Sequence, residues 1–419
     1  MSLMVCEYPN SCQWRNLRQL LVNTNTSIAV MKTSAENTDS PATQPDIKPS
    51  RDPLRIRVAV FEDYDQIAAV QIRNGLTPRA YQDWLAHWST NPIYQKRNGE
   101  WPIGWVLETN QGEIVGSISN IPLAYQFRGR ELRAATSCSW AVDSRFRSYS
   151  MRIFSSLLRQ KDIDLFVCTT VSAASEPSYR DAFQFSRAPV GTWDNASLWI
   201  TNYAGFSESA LKSKSVPFAK ILSYPVSAAL FCWDKVRDGS LQMPGATSGV
   251  QLCTAFDSRF DEFWEELKVE KKNVLLAVRT RDTLSWHFRY PLMRRNLWIL
   301  TASKGARLVA YAIFDRSDNL PLGLKRVRLV DFQALNGSEE ELGAALNWML
   351  RKCRQEGIHV LETCGCWLDR PGLPRILAPY QRPLSSWMYY YRAIDKDLSE
   401  ALADMDVWEP SSFDGDASL

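Results

Sequence analysis

Two stretches of this chain spell the same succession of hydrophobic patterns, and that repetition constrains the fold more than any other feature. In the first, Arg55–Val60 alternates polar and apolar residues, the period of a strand. Asp63 then opens a helix carrying Ile67, Ala68, Val70 and Ile72, and a second helix after Pro78 carries Tyr81, Trp84, Leu85 and Trp88. Trp105–Glu108 and Ile114–Ile118 read as a hairpin turning at Asn110-Gln-Gly112. A strand at Glu131–Val142, a helix at Met151–Leu158, a strand at Asp164–Val171 and a short helix at Tyr179–Phe185 follow, and Asn195–Ile200 closes the unit as its last strand. The second stretch begins with a strand at Val250–Ala255 and a helix at Phe260–Leu267. Leu297–Thr301 and Leu308–Phe314 form a hairpin around Ser303-Lys-Gly305. A strand at Arg326–Ala334 leads to a helix at Glu340–Cys353, with apolar Leu342, Leu346, Met349 and Leu350. His359–Thr363, a weak helix at Arg370–Leu377 and a last strand at Trp387–Tyr391 end it. One element order used twice predicts a duplicated α/β (α+β) fold, each half a mixed, mostly antiparallel sheet flanked by helices.

The rest of the chain is divided by composition. Lys32–Pro53 is mostly Ser, Thr, Asp, Asn and Pro, so residues 1–53 read as a disordered tail. The units are then 54–203 and 249–396, joined by a connector at 204–248 and followed by a C-terminal tail at 397–419. In the connector, Phe218, Ile221, Leu222, Leu230 and Phe231 give Val216–Val236 an apolar face, broken at Pro225 and flanked by Lys212, Lys214, Lys220, Lys235 and Arg237. A helix packed between domains and a helix lying on a membrane surface both fit this pattern, and the first asks less. No stretch approaches the roughly 18 uncharged apolar residues of a spanning helix. With no secretory signal apparent and nine cysteines irregularly spaced, a cytoplasmic protein with free thiols is expected. A net charge of +3 does not advertise a nucleic-acid partner. Cys364-Gly-Cys366 is the one tight pair, and His87, His287 and His359 form no second cluster, so no metal is expected.

Residues 140–158 carry the most specific signal. Trp-Ala-Val-Asp-Ser-Arg-Phe-Arg-Ser-Tyr-Ser-Met-Arg-Ile-Phe-Ser-Ser-Leu-Leu runs from a strand through a polar turn into a helix. It resembles the acyl-CoA loop of the GNAT acyltransferase superfamily, in which an Arg/Gln-x-x-Gly-x-Gly/Ala loop opens a helix and its amides meet a pyrophosphate. Arg147 holds the first position, Ser150 stands where Gly is usual and Arg152 where Gly or Ala is usual. Ala173–Phe185 is similar to the segment that follows the fifth strand in that superfamily. Leu284-Ser-Trp-His-Phe-Arg-Tyr-Pro291 and Trp408–Asp416 resemble bacterial double-GNAT proteins. The second half has no such loop: Ser338 and Glu341 there read as a helix capping box, which would occupy the amides a pyrophosphate needs.

The resemblance implies acetyl-CoA or another acyl-CoA as co-substrate, held by Ala141, Val142, Arg147, Ser148, Tyr149, Ser150, Met151 and Arg152, without a metal. It implies Tyr179 as general acid, with Glu176 as candidate base and Asp143 behind it. Packing is the plainer reading of Tyr179, and helix capping that of Glu176. His287 is the best-placed titratable group of the second half, although a lone histidine is often structural. Arg152 either pairs with phosphate or blocks the site. The implied activity is transfer of an acyl group to an amino group of a small metabolite or cell-envelope precursor. A non-catalytic GNAT-like binding protein and a Fem-type aminoacyl transferase are the alternatives.

Overall fold

The computed structural model describes residues 54–237, 249–335, 337–338, 340–366, 368, 378, 380–384 and 386–419. The expected tail at 1–53, the end of the connector at 238–248 and the weak helix at Arg370–Leu377 lie outside the described residues. In chain order the strands are β1 (Arg55–Val58), β2 (Gly104–Glu108), β3 (Ile114–Phe127), β4 (Arg130–Val142), β5 (Leu165–Val171), β6 (Ser186–Arg187), β7 (Asn195–Ile200) and β8 (Val250–Cys253). They continue with β9 (Leu276–Ala277), β10 (Leu297–Lys304), β11 (Arg307–Arg316), β12 (Arg326–Ala334), β13 (Val360–Cys364), β14 (Tyr380–Pro383) and β15 (Met388–Ala393).

The strands build two mixed, mostly antiparallel sheets. One runs β1-β2-β3-β4-β5-β15-β6, with β9 against the far end of β3, and the other runs β14-β7-β13-β12-β11-β10-β8. In each, one pair is parallel: β4 with β5, and β12 with β13. The long β3–β4 hairpin turns at Arg128 and Gly129, whose φ angles of 49° and 77° are both positive. A two-residue hairpin turn that matches strand twist needs that conformation, and glycine adopts it without strain.

The closing strands are exchanged, which corrects the reading of β7 and β15 as the last strands of their own halves. Ile200 to Ala196 of β7 pair with Val360 to Cys364 of β13 in the second sheet, and Met388 to Ala393 of β15 pair with β5 in the first. The reason is packing. β7 buries Ala196, Leu198, Trp199 and Ile200, side chains of both its faces, so it needs a covered place inside a sheet rather than an edge. The halves also share a core: Trp286, Phe288 and Tyr311 of the second lie in one buried cluster with Trp88 and Tyr125 of the first. Trp286 donates its indole N–H to the Ala86 carbonyl across that boundary, at 3.2 Å.

Helix Ser150–Leu158 lies on β2 and β3 and buries Ile153, Phe154 and Leu157, the i, i+1, i+4 set of a one-sided helix. Helix Glu341–Gln355 buries Leu342, Leu346, Met349, Leu350 and Cys353 against the second sheet. Truncating the fully buried Leu346 to Ala would cost about 2–5 kcal/mol. The capping box expected at its start is not formed. Glu340 is the N-cap, Ser338 bonds Glu341 only through its carbonyl, and its hydroxyl has no partner among the described residues.

Two expectations about segments outside the sheets are also corrected. Helix Ala219–Arg237 is continuous through Pro225, and of the five apolar residues read as its packing face only Leu230 is buried. The segment after 397 is no loose tail, because Ser411, Ser412, Phe413 and Asp414 are buried. Asp414 and Asp331 of β12 hold the buried Arg279 guanidinium at 3.4 and 2.9 Å, and Ser411 donates to Asp331 at 2.6 Å. No helix among the described residues is long and apolar enough to cross a membrane.

Candidate functional site

The site begins where β4 and β5 part. They are in register only at Ala134–Leu165, Ala135–Phe166 and Thr136–Val167, while β4 continues beside β3 to Val142. Past Thr136 the side of β4 turned from β3 therefore has no strand beside it among the described residues. Ser139 has φ 52° where the β3–β4 register shifts, a bulge of the kind that redirects side chains next to active sites. Ala141 and Val142 are buried at this end of β4, opposite Ser117 and Gly116.

The turn that follows is anchored and coiled. Asp143 accepts from Arg73 Nη2 at 2.7 Å and from Asn74 Nδ2 at 2.9 Å, so its carboxylate is committed to holding the turn. Ser144–Tyr149 forms a 3-10 helix that runs into helix Ser150–Leu158. The Phe146 amide donates to the Asp143 carbonyl at 2.8 Å, and the Ser150 amide to the Arg147 carbonyl. Arg147 and Ser148 are exposed, and Tyr149, Ser150 and Met151 are half-buried. Arg152 is exposed, with its guanidinium 5.3 Å over the Tyr149 ring. It lines a groove of about 650 Å³ with Arg55, Arg57, Ser155 and Arg159.

Tyr179 and Glu176 sit on one turn and face different ways. The Tyr179 ring is buried against Phe154 and Phe185, with centroids 5.2 and 5.3 Å away. Burial, then the neighbouring Cys168 thiol, holds its hydroxyl protonated well above the ordinary tyrosine range. Ser137 and Cys168 both bear on that hydroxyl, and their Oγ and Sγ lie 3.8 Å apart one residue past the last β4–β5 pair, so Tyr179 stands near the parting of the strands. Glu176 instead accepts from the Tyr390 hydroxyl at 2.6 Å.

A cleft of about 470 Å³ lies where the two halves meet. Arg79, His87, His287, Arg294, Asp315 and Arg328 line it, together with the chain at 417–419. His87 and His287 come from opposite halves and are both pushed down to about 3 by burial, so they are neutral. His287 Nε2 lies 2.7 Å from Ser418 Oγ. Burial pushes the Asp315 carboxyl up to about 7 against the pull of Arg328 and Arg79, which suits it to accept a proton near neutrality. Ala417 lines the cleft, and the adjoining Asp416 accepts the Thr169 amide of β5 at 2.7 Å, so the cleft adjoins the parting of β4 and β5. Trp286, His287, Arg289 and Tyr290, the segment singled out in the second half, all line this cleft. His87, Arg79 and Asp315 were not readable as site residues. Arg79 and His87 lie on one segment, Asp315 on another, and no spacing links them to Trp286–Tyr290.

No family model matches the sequence, and no curated protein is similar to it in sequence. Solved structures resemble it in fold. The chain is similar to Saccharomyces cerevisiae N-myristoyltransferase with bound myristoyl-CoA and inhibitors at a TM-score of 0.52 and 12% identity, over 90% of this chain and 92% of that one. The same enzyme with bound myristoyl-CoA gives 0.50 and 12%, over 91% and 93%. A GCN5-related N-acetyltransferase from Anabaena variabilis gives 0.49 and 11%, over 82% and 73%. At such identities the likeness is one of fold, and with two mixed, mostly antiparallel sheets this chain has the tandem GNAT-like fold of N-myristoyltransferase.

Proposed function

We propose that this protein transfers an acyl group from a coenzyme A thioester to the amino group of a small anionic molecule. The observation that carries the reading is the parting of β4 and β5 beside the helix start at 143–150, with Tyr179 at the parting and a basic cleft next to it. A GNAT-like fold uses such an opening for the thioester, and the fold neighbours were solved with myristoyl-CoA, which puts long acyl chains among the donors to try. In the reaction the amine nitrogen forms the C–N bond and the C–S bond breaks. The proton leaving the amine goes to a base, and the departing thiolate takes one up. In this reading Asp315 acts as the base and Tyr179 supplies the proton to sulfur. Five arginines line the cleft against two side-chain carboxylates, Asp83 and Asp315. Arg316 and Arg328 are paired with Asp318 and Glu362, at 3.0 and 3.3 Å, so Arg79, Arg289 and Arg294 are the cations that favour an acceptor bearing a carboxylate or phosphate. The test is release of free thiol from acetyl-, octanoyl- and myristoyl-CoA with amino acids and amino-sugar phosphates as acceptors. Acceptor-dependent release supports the reading, and none with any pair overturns it.

One observation favours a second reading, a GNAT-shaped binding protein without turnover. The 3-10 turn directs the amides of Phe146 and Ser150 back to Asp143 and Arg147, where a phosphate loop would leave them pointing at ligand. Saturable binding of acyl-CoA or acceptor with no thiol release is the outcome that selects it.

A further inference from the structure

Helix Ala219–Arg237 is amphipathic the wrong way round. Its 19 residues span about 28 Å at about 1.5 Å per residue. The side turned to the protein carries Ala219, Ser223, Leu230 and Asp234. Asp234 is tied there by the hydroxyls of Tyr203, at 2.6 Å, and Tyr380, at 2.5 Å. The opposite side is apolar. Ile221 is 68% exposed, Tyr224 65% and Val236 85%, and Phe218 just before the helix is 78% exposed, while Trp233, 55% exposed, stands on the flank nearer the buried side, half a turn round from Tyr224. A surface helix ordinarily presents charge to water. Contiguous apolar patches like this one mark surfaces that meet something else.

The charge around the patch says what. From Ser209 to Val236 the only acidic residue is Asp234, which is buried and bonded to the two tyrosines. The exposed charges are Lys212, Lys214, Lys220 and Lys235. Only Lys212 has a carboxylate partner among the described residues, Glu208 at 2.7 Å. Lys235 lies 5.6 Å over the Phe231 ring, at the edge of the patch. Aromatic and branched aliphatic residues on one face, rimmed by lysine with no exposed acid, are the composition of a helix lying in a membrane interface. We infer that this face docks on an anionic lipid surface, with Ile221, Tyr224 and Val236 entering the headgroup boundary and the lysines meeting lipid phosphates. The site is distinct from the cleft and does not depend on the proposed reaction.

The experiment is co-flotation of the full chain with vesicles of phosphatidylcholine alone and of phosphatidylcholine with phosphatidylglycerol, at low and high salt. The expected result is flotation with the anionic vesicles only, reduced by salt. Ile221→Glu with Val236→Glu should abolish it. Lys220→Gln with Lys235→Gln should weaken it about fivefold per lysine. Val269→Glu, an exposed apolar residue on another helix, serves as the control and should leave it unchanged. All of these positions are exposed, and an unchanged melting temperature confirms that each variant folds. Flotation equal on both vesicles, flotation indifferent to the helix variants, or none at all overturns the inference. So does a dimer in light scattering that Ile221→Glu with Val236→Glu dissociates, since a second copy would then be the occupant.

Discussion

Asp416 takes the hydrogen bonds that β4 leaves unmade on Thr169. Its carboxylate accepts the Thr169 amide at 2.7 Å and the Thr169 hydroxyl at 2.8 Å, two residues past the last β4–β5 pair. The end of the sequence is thereby seated at the opening proposed to take the thioester, 247 positions from the strand it completes. Gly415 makes the approach possible. A Cβ built there would fall 2.6 Å from Thr169 Cγ2, and its φ of 63° suits glycine.

Gly415→Val should therefore cost at least about 2 kcal/mol, from the left-handed backbone and the clash together. Chemical denaturation measures it. An unchanged midpoint would mean that the segment does not seat against Thr169.

The buried Arg279 offers a second test. Arg279→Leu leaves Asp331 and Asp414 without their cation, a loss of about 3–5 kcal/mol. Burial raises Asp414 to about 6 even with Arg279 present. A raised carboxyl favours the folded state most when protonated, and that contribution is lost as pH rises through about 6. The deficit of the variant should accordingly be larger at neutral pH than below that value, as melting curves across the range will show.

Much of the architecture was legible because local pattern determines local structure. The 3.6-residue period picked out Leu342, Leu346, Met349 and Leu350, and all four are buried. Partner choice was not legible. β7 and β15 carry the same period-two signal whichever sheet they join, and only burial of both β7 faces decides it. Helix Ala219–Arg237 misled for a related reason. Its apolar residues predict a packed face, but the tyrosines that hold Asp234 turn that face outward. Within the candidate site, Trp286–Tyr290 could be read as one segment, whereas Asp315, His87 and Arg79 meet it only through the fold.

Asp315 carries the pH dependence of the cleft. Its folded pKa of about 7 lies above the ordinary value, so its contribution to stability is present at low pH and is lost as pH rises through about 7. Asp315→Asn should flatten the melting temperature across that window. The same variant should remove the ascending limb of the pH–rate profile. A profile that Asp315→Asn leaves unaltered would rule it out as the base.

Arg79 and Arg294 both stand over the Tyr290 ring, at 5.7 and 4.1 Å. Arg79→Gln and Arg294→Gln should each raise the acceptor KM about tenfold, the equivalent of about 1.4 kcal/mol, with little change in the acyl-CoA KM. Arg152→Gly should leave acceptor binding unaltered, since Arg152 lines the separate groove with Arg55 and Arg159. Equal effects on both substrates would argue against an acceptor anion in the cleft.

Binding of an acyl-CoA at the start of helix Ser150–Leu158 is measured by calorimetric titration of the full chain with acetyl-, octanoyl- and myristoyl-CoA. The expected result is saturable one-to-one binding of at least one of them, weakened about tenfold or more by Arg147→Ala through loss of a charge-assisted phosphate contact. Absence of heat from all three, or binding that Arg147→Ala leaves unchanged, would contradict it.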